Sequence, residues 1–183
     1  MKVDKGLKLH ARDLRDRKPT EEELASIERR PLYIVLDNVL DTYNIGGIFR
    51  LADAVGAREV IICGQSETPP SSRIHKAAVG LEDWVPWSYS PTSEEAARRL
   101  KSANTQIVVV EQSENSKLYT EVEITPDTPV AIVVGHETDG VSKNVLEIAD
   151  QVLEIPMFGV NKSLNVIVSA AIVAYKILEK QNA

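Results

Sequence analysis

The chain has 183 residues, of which 43% are hydrophobic and 26% charged, and its net charge at pH 7 is −6. This composition excludes a largely disordered protein and is typical of one globular domain. The single cysteine excludes an internal disulfide framework, and the acidic balance counts against broad nonspecific adhesion to a phosphate backbone.

Charge is unevenly distributed along the chain. Residues 1–18 hold seven Lys or Arg against three Asp or Glu, a balance of +4, whereas the rest of the chain has a balance of −10. We interpret residues 1–30 as a basic N-terminal arm with a short helix, and residues 31–183 as the main domain. The arm either contacts nucleic acid or is a solvated, partly disordered tail.

Neither a secretory signal nor a membrane span is expected. The N-terminus lacks an apolar run, and the longest apolar stretch, residues 164–178, is interrupted by polar residues and shorter than the roughly 20 residues that a spanning helix needs. We therefore expect a cytoplasmic protein that does not associate with membranes.

The first half of the chain alternates helical and extended patterns. The predicted elements are a helix over 20–29, a strand over 31–39, a helix over 44–57 and a strand over 59–64. Thr20 followed by Glu23 indicates a capped helix start, and Gly56 a helix end. Cys63 lies in an apolar strand and is expected to be a buried hydrophobe rather than a reactive thiol.

The second half continues the alternation after an ambiguous segment at 75–84. The predicted elements are a short strand at 85–89, a serine-capped helix over 90–104, a strand over 106–112, a strand over 128–137, a short helix over 144–149, a strand over 151–157 and a long helix from about Ser163. Strands alternating with helices predict an α/β fold, with a mostly parallel sheet covered by helices on both faces.

Polar residues follow three of the predicted strands, in the loops 44–50, 135–140 and 159–165. Ligands of parallel sheets collect beyond the carboxyl ends of the strands, so the site should lie where these loops meet. No G-x-G-x-x-G or Walker lysine is present, and the three histidines lack metal-ligand spacing. Nicotinamide, nucleoside-triphosphate and metal chemistry are therefore disfavoured.

The same three loops carry the motifs "NIGGIFRLADAVGA", "VVGHETDGVS" and "IPMFGVNKSLNVIVSAAI". Taken in order, they resemble the three motifs of the SpoU or TrmH branch of the SPOUT methyltransferases, over roughly residues 31–178. The resemblance implies a homodimer with a C-terminal trefoil knot that binds S-adenosylmethionine. It also implies methyl transfer to a ribose 2′-hydroxyl of tRNA or rRNA.

The resemblance also implies roles for individual residues. Arg50 would contact the RNA phosphate and the target ribose, and Asn44 and Glu137 would orient it, while Ser163 and Asn165 would complete the pocket. The expected cofactor contacts are Gly135, His136, Gly140, Ile155, Met157, Ser163 and Leu164. Without the resemblance, Arg50 would be a surface arginine paired with Asp53, and Asn44 and Ser163 would be ordinary helix caps.

RNA selection would depend on the basic arm together with Arg50, Arg73 and Lys76. A second basic group, Arg98, Arg99 and Lys101, is better explained as a solvated helix face, and the acidic body leaves room for a partner protein that supplies RNA affinity. The last helix is apolar all round, so it packs either against a second subunit or wholly inside the chain.

Two other functions stay open at this point. One is a knotted module that binds S-adenosylmethionine or RNA without efficient catalysis and acts as a binding or assembly factor. The other is an unrelated nucleotide-binding α/β protein, which would make the three motif matches a coincidence.

Overall fold

A single seven-stranded parallel sheet forms the centre of the computed structural model, which describes residues 7–181. The strands are β1 (Arg30–Asp37), β2 (Ala57–Cys63), β3 (Trp87–Ser90), β4 (Gln106–Val110), β5 (Lys117–Leu118), β6 (Val130–Gly135) and β7 (Gln151–Glu154). Their order across the sheet is β3-β2-β1-β6-β4-β7-β5, and every strand pair is parallel. The predicted α/β fold with a parallel sheet is confirmed.

Helices cover both faces of this sheet. They are α1 (Ala11–Asp16), α2 (Glu21–Ser26), α3 (Thr42–Ala54), α4 (Ser72–Ala78), α5 (Ser93–Ser102), α6 (Lys143–Ile148) and α7 (Val166–Gln181), with 3₁₀ turns at Leu81–Asp83 and Tyr119–Glu121. Alternate strand residues point to opposite faces. Leu32, Ile34 and Leu36 of β1 pack in a core that includes α3, α4 and α7. Val35 packs instead with residues of α5 and α6.

The N-terminal segment packs on the body of the protein. Leu14 of α1 and Ile27 contact the core from outside, and a Cβ on Gly80 would collide with the Leu14 carbonyl oxygen. The guanidinium of Arg17 stacks over the Trp84 ring at 5.2 Å and forms a two-pronged ion pair with Glu23. That pair lowers the pKa of Glu23 to about 2, chiefly through the side-chain hydrogen bond from Arg17. The described part of the arm, from residue 7, is thus ordered against the domain.

Several local expectations are confirmed. Thr20 and Glu23 form a capping box at the start of α2, and Gly56 has a φ of +64° just after α3. Cys63 is fully buried, and this burial is the main reason why its pKa is raised to about 12. Such a thiol is a packing residue and not a nucleophile.

Two predicted helix starts are wrong. The cap of α5 is Thr92, whose hydroxyl accepts from the Glu95 N–H, and not a serine. Helix α7 begins at Val166 rather than near Ser163, because Asn165 caps it by accepting from the Ile167 N–H at 2.9 Å. Strand β7 also ends at Glu154 and not at 157. The residues 155–165 therefore form a loop, with Ser163 inside it.

Among residues 7–181, no helix is both long and apolar enough to cross a membrane.

Candidate active site

A cavity of about 560 Å³ opens at the carboxyl ends of β6, β4 and β7. Its walls come from the loop after each of these strands, together with Asn44 near the start of α3 and the first turn of α7. Its lining includes both apolar and polar side chains. The apolar group comprises Val110, Val134, Leu153, Ile155, Met157, Leu164 and Val166.

The loop after β6 is a tight turn. His136 and Gly140 exchange backbone hydrogen bonds of 3.1 and 3.0 Å, and the Nδ1 atom of His136 accepts from the N–H groups of Thr138 and Asp139. Nδ1 is therefore an acceptor, which places the ring proton on Nε2. A Cβ on Gly135 would collide with the Gly140 backbone, and Gly140 itself has a φ of +70°. Only glycine fits at both ends of this turn.

Three side chains from distant parts of the chain form a hydrogen-bond chain at the rim. Asn165 Nδ2 donates to Asn44 Oδ1 at 2.9 Å, and Asn44 Nδ2 donates to Glu137 Oε1 at 2.8 Å. Glu137 also accepts from the backbone N–H groups of Leu40 and Asp41. Both carboxylate oxygens of Glu137 are therefore engaged with the segment that starts α3.

These contacts keep Glu137 ionised. Burial is the largest single influence and opposes ionisation, but the hydrogen bonds from Asn44 and from backbone N–H groups together outweigh it and lower the pKa of Glu137. A carboxylate with both oxygens occupied is a poor proton acceptor. Its geometry instead suits it to fix the orientation of the Asn44 amide.

The loop 155–165 closes the far side of the cavity. Met157, Lys162 and Ser163 line the cavity, while the side chains of Phe158 and Val160 are almost fully exposed. Ser163 does not cap α7, so the simple capping role considered from the sequence is wrong. Its position is in the cavity wall.

The structure brings together nearly all of the residues predicted for the site. Every expected cofactor contact lines the cavity, as do Asn44, Glu137 and Asn165. Asn44 is not the cap of α3, because that position belongs to Asp41, whose carboxylate accepts from the Tyr43 N–H.

Arg50 lies outside the cavity, on the exposed face of α3. Within the part of the chain that the structure describes, its side chain has no hydrogen bond or ion pair. The expected orientation of Arg50 by Asn44 and Glu137 is therefore wrong, since these two side chains bind each other, and the alternative pairing with Asp53 does not occur either. Arg73 and Lys76 are also exposed, on α4, which packs directly on α3. Two members of the second basic group on α5 form ion pairs with the protein itself: Arg98 with Glu94, and Lys101 with Asp150.

Sequence reasoning missed the contribution of β4. Glu111 and Gln112 follow this strand directly and line the cavity. The rule that selected the other loops, polar residues just after a buried strand, would also have selected this pair. The residues that the structure describes contain no group of three or more His, Cys, Asp or Glu placed to hold a metal ion.

Comparison with known proteins decides the family. The model of the SpoU rRNA Methylase family matches residues 31–175. This chain belongs to that family. The resemblance seen in the three motifs is thereby confirmed.

Relatives of known activity cover most of the chain. This chain is 33% identical over 165 residues to the tRNA (guanosine(18)-2'-O)-methyltransferase of Escherichia coli, and the alignment covers 88% of this chain and 69% of that protein. It is 33% identical over 153 residues to the 23S rRNA (guanosine-2'-O-)-methyltransferase RlmB of Neisseria meningitidis, covering 84% of this chain and 60% of that protein.

Solved structures agree with the observed fold. The A. aeolicus TrmH/SpoU tRNA modifying enzyme superposes with a TM-score of 0.76 at 30% identity, covering 94% of this chain and 82% of that one. The AdoMet-bound rRNA methyltransferase from Sinorhizobium meliloti superposes with a TM-score of 0.77 at 26% identity, covering 91% of this chain and 60% of that one.

Proposed function

We propose that this SpoU-family chain is an S-adenosylmethionine-dependent RNA methyltransferase that modifies a ribose 2′-hydroxyl of tRNA or rRNA. The observation that carries the proposal is the cavity itself, where residues from all three family motifs meet. The named activities of the E. coli and Neisseria relatives support the choice of ribose and of these two RNA classes.

The cavity fits the cofactor in volume and charge. A volume of about 560 Å³ lies within the range of roughly 300–1,000 Å³ usual for small-molecule sites. The apolar part of the lining suits an adenine ring. Carboxylates of Glu111, Glu137, Asp139 and Glu154 line the cavity. These carboxylates suit the ammonium and the sulfonium of the ligand, and Lys162 in the same lining suits its carboxylate.

When bound there, the cofactor would supply a methyl group from its sulfonium sulfur, which leaves as a neutral thioether, while the proton of the 2′-hydroxyl passes to the phosphate or to water. The protein then has to align the ribose and exclude water. In the proposed arrangement, the turn at 135–140 and the loop 155–165 hold the cofactor. The amides of Asn44 and Asn165, fixed through Glu137, orient the ribose at the rim. Ser163 is available for a hydrogen bond in the same wall.

Arg50 would act from outside the cavity. A guanidinium stays protonated and binds a phosphate with two parallel hydrogen bonds, so we assign Arg50 to the RNA backbone and to charge developing on the 2′-oxygen rather than to proton removal. Arg73 and Lys76 on the adjacent helix α4, and the basic arm, would extend this contact. The arm with its short helix would thus form a unit distinct from the catalytic domain at 31–183, a division that the family match over 31–175 supports.

A homodimer is part of the proposal. Val168 and Tyr175 form an exposed apolar stripe along α7, opposite the residues that face the core. Next to it, α3 packs on α7 through Gly47 and Ile167 and exposes Tyr43 and Arg50. A second subunit covering α7 would therefore place Arg50 at the boundary between the two chains. The C-terminal trefoil knot, the cytoplasmic location and an RNA-recruiting partner protein are further proposals that rest on the family.

The competing function is a binding or assembly module without efficient catalysis. The intact Asn44–Glu137–Asn165 chain favours an enzyme, because a module that only binds cofactor has no need of oriented amides at the rim.

The decisive experiment is a map of ribose methylation across total RNA from cells with and without this protein, followed by transfer of labelled methyl groups to the identified RNA in vitro. We expect one or a few nucleotides to lose methylation without the protein and the purified protein to restore it. An unchanged map combined with measurable cofactor binding would support the binding module instead.

A further inference from the structure

Strand β4 ends between the two loops of the cavity, the turn at 135–140 and the loop 155–165. In the strand order, β4 lies between β6, which leads into the turn at 135–140, and β7, which leads into the loop 155–165. The Glu111 N–H donates to the Leu153 carbonyl at 3.0 Å, so the backbone beyond β4 stays fixed to β7. Side chains at 111 and 112 can therefore reach both loops from a rigid base.

The alternation of the strand sends these two side chains to opposite faces. Glu111 continues the row of Ile107 and Val109, on the face covered by α5 and α6, and Gln112 continues the row of Val108 on the face covered by α7. The turn after β6 leads into α6, and the loop after β7 leads into α7. Each side chain thus points to a different cavity loop.

The hydrogen bonds follow this division. Glu111 Oε2 accepts from the Val141 N–H at 3.0 Å, and its Oε1 accepts from the Gln112 N–H at 2.9 Å. Gln112 Nε2 donates to the Lys162 carbonyl at 2.9 Å. Gly140 permits the approach, because a Cβ at that position would collide with Glu111 Oε2.

We infer that Glu111 and Gln112 are positioning residues that set the separation of the two loops holding S-adenosylmethionine. This inference rests on the proposed function. Glu111 fixes the turn after β6 and Gln112 fixes the loop after β7, so that the cavity is formed before the cofactor arrives. Pre-formed sites bind more tightly because the ligand does not have to order the loops.

The test compares three near-isosteric variants. E111Q keeps the shape of the side chain but leaves one oxygen to accept from both the Val141 and the Gln112 N–H groups. Q112M removes the amide that donates to the Lys162 carbonyl. Q106M is the matched control. Gln106 lies at the opposite end of β4, where Nε2 donates to the Glu123 carbonyl at 2.8 Å and Oε1 accepts from the Thr125 N–H, far from the cavity.

Calorimetry with S-adenosylmethionine gives the first readout. Losing a hydrogen bond to a charged group is expected to raise Kd about tenfold in E111Q, and losing a neutral one about threefold in Q112M. Q106M should lower the unfolding midpoint without changing Kd. In steady-state assays the KM for the cofactor should rise in both cavity variants, while the KM for RNA stays constant.

Amide hydrogen exchange of the cofactor-free protein gives the second readout. E111Q should speed exchange in residues 136–142, and Q112M in residues 159–165, with each loop responding to its own variant. Unchanged exchange in both loops, unchanged Kd in both variants, or an equal rise of Kd in Q106M would each overturn the inference. If the wild-type protein binds no cofactor, the proposed function fails, whereas the exchange data still decide whether the pair fixes the loops.

Discussion

The role proposed for Arg50 can be tested separately from cofactor binding. The side chain of Arg50 is exposed on α3 and does not line the cavity. We predict that R50A lowers methyl transfer about a hundredfold, the usual effect of removing one group that stabilises charge in a transition state. The Kd for S-adenosylmethionine should not change.

Arg99 provides the control for that variant. It is exposed on α5, on the opposite face of the sheet. R99A should behave as the wild type in both transfer and binding assays. If R50A turns over the correct RNA at the wild-type rate, Arg50 has no part in the reaction.

The Asn44 amide donates one hydrogen bond to Glu137 and accepts one from Asn165. Replacing this amide with a carboxylate should therefore make the stability of the protein depend on pH. In N44D an oxygen would replace the amide nitrogen that lies 2.8 Å from Glu137 Oε1. Two carboxylates would then face each other, which raises their pKa values. At pH 7 we predict a loss of about 1–3 kcal/mol in unfolding free energy, because the side chain at position 44 is buried and would bring a second carboxylate against Glu137.

The sign of the pH effect follows from the shifts. In the wild type the pKa of Glu137 is lowered, so its stabilisation is complete at neutral pH and is lost only on strong acidification. In N44D the pair has raised pKa values, so the folded state gains protons and stability as pH falls from 7 towards 5. Urea unfolding should show the deficit of N44D shrinking over that range. The deficit of N44A, which has no added charge, should stay constant, and parallel curves for both variants would contradict this account.

At the scale of single residues, most residues predicted for the site line one cavity, but local geometry was misjudged. Ser163 and Asn165 both follow β7 and were both expected in the pocket, yet only the structure distinguishes them. Asn165 accepts from the Ile167 N–H and caps the helix, which leaves Ser163 in the preceding loop. Cap positions differ by one or two residues from sequence expectations because several polar residues can satisfy the same N–H groups.

At the scale of elements, α3 is the most closely packed helix near the site. Gly46 faces α4 and Gly47 faces α7, so neighbouring glycines seat α3 against two different helices. A Cβ on Gly46 would lie 2.5 Å from Ala77 Cβ and 2.7 Å from the Ala78 backbone nitrogen. A Cβ on Gly47 would meet the flexible end of the Ile167 side chain.

This difference predicts different costs for the same substitution. Overpacking against backbone costs about 1–3 kcal/mol, whereas alanine gains up to about 1 kcal/mol over glycine inside a helix. We expect G46A to lose about 2 kcal/mol and G47A to stay near the wild type, because Ile167 can move. Urea unfolding measures both losses, provided that the dependence of the unfolding free energy on urea concentration is the same in all variants. Equal losses would show that α4 moves away from the added methyl group as easily as the Ile167 side chain does.

Strands that are long apolar runs were predictable, whereas several short elements were not. Strands β1, β2, β4 and β6 are apolar runs that only a sheet covered on both faces accommodates, and their positions agree with the sequence. The segment of helix α4 was ambiguous in sequence, and no element was predicted for strand β5 or helix α1, which span two and six residues. Helix α2 is also six residues long but was predicted, because its Thr20–Glu23 capping box is visible in the sequence. The positions of α4, β5 and α1 come from packing, as with α1 on Gly80.

At the scale of the whole molecule, charge is divided between an acidic body and a basic arm. Arg12 and Arg15 are both exposed on α1. Of these two, Arg12 forms an ion pair with Asp16, and Arg15 forms none with the residues that the structure describes. Removal of residues 1–18 should weaken RNA binding and flatten its salt dependence. R12Q/R15Q, which keeps Leu14 and Arg17 in place, should reduce the salt slope by about 0.7 per lost contact with single-stranded RNA.

The control for the arm is R98Q/R99Q on α5, which carries the same charge change on the opposite face of the sheet. It should leave the slope of log affinity against log salt unchanged. If the slope of log affinity against log salt is unchanged after removal of residues 1–18, the arm does not contact RNA and serves only to pack over the Trp84 region.

The assembly state depends on the exposed stripe of α7. Val168 is 45% and Tyr175 56% exposed, on a helix whose other side is fully buried, and an apolar stripe of this kind is costly to leave in water. We predict that the wild-type protein sediments as two 20.2 kDa chains and that V168K/Y175K sediments as one, because a lysine pair facing its own copy is repelled. Y89K is the control, since Tyr89 is 50% exposed on β3, at the other side of the sheet. A wild-type monomer at micromolar concentration, or dissociation by Y89K, would place the interface elsewhere.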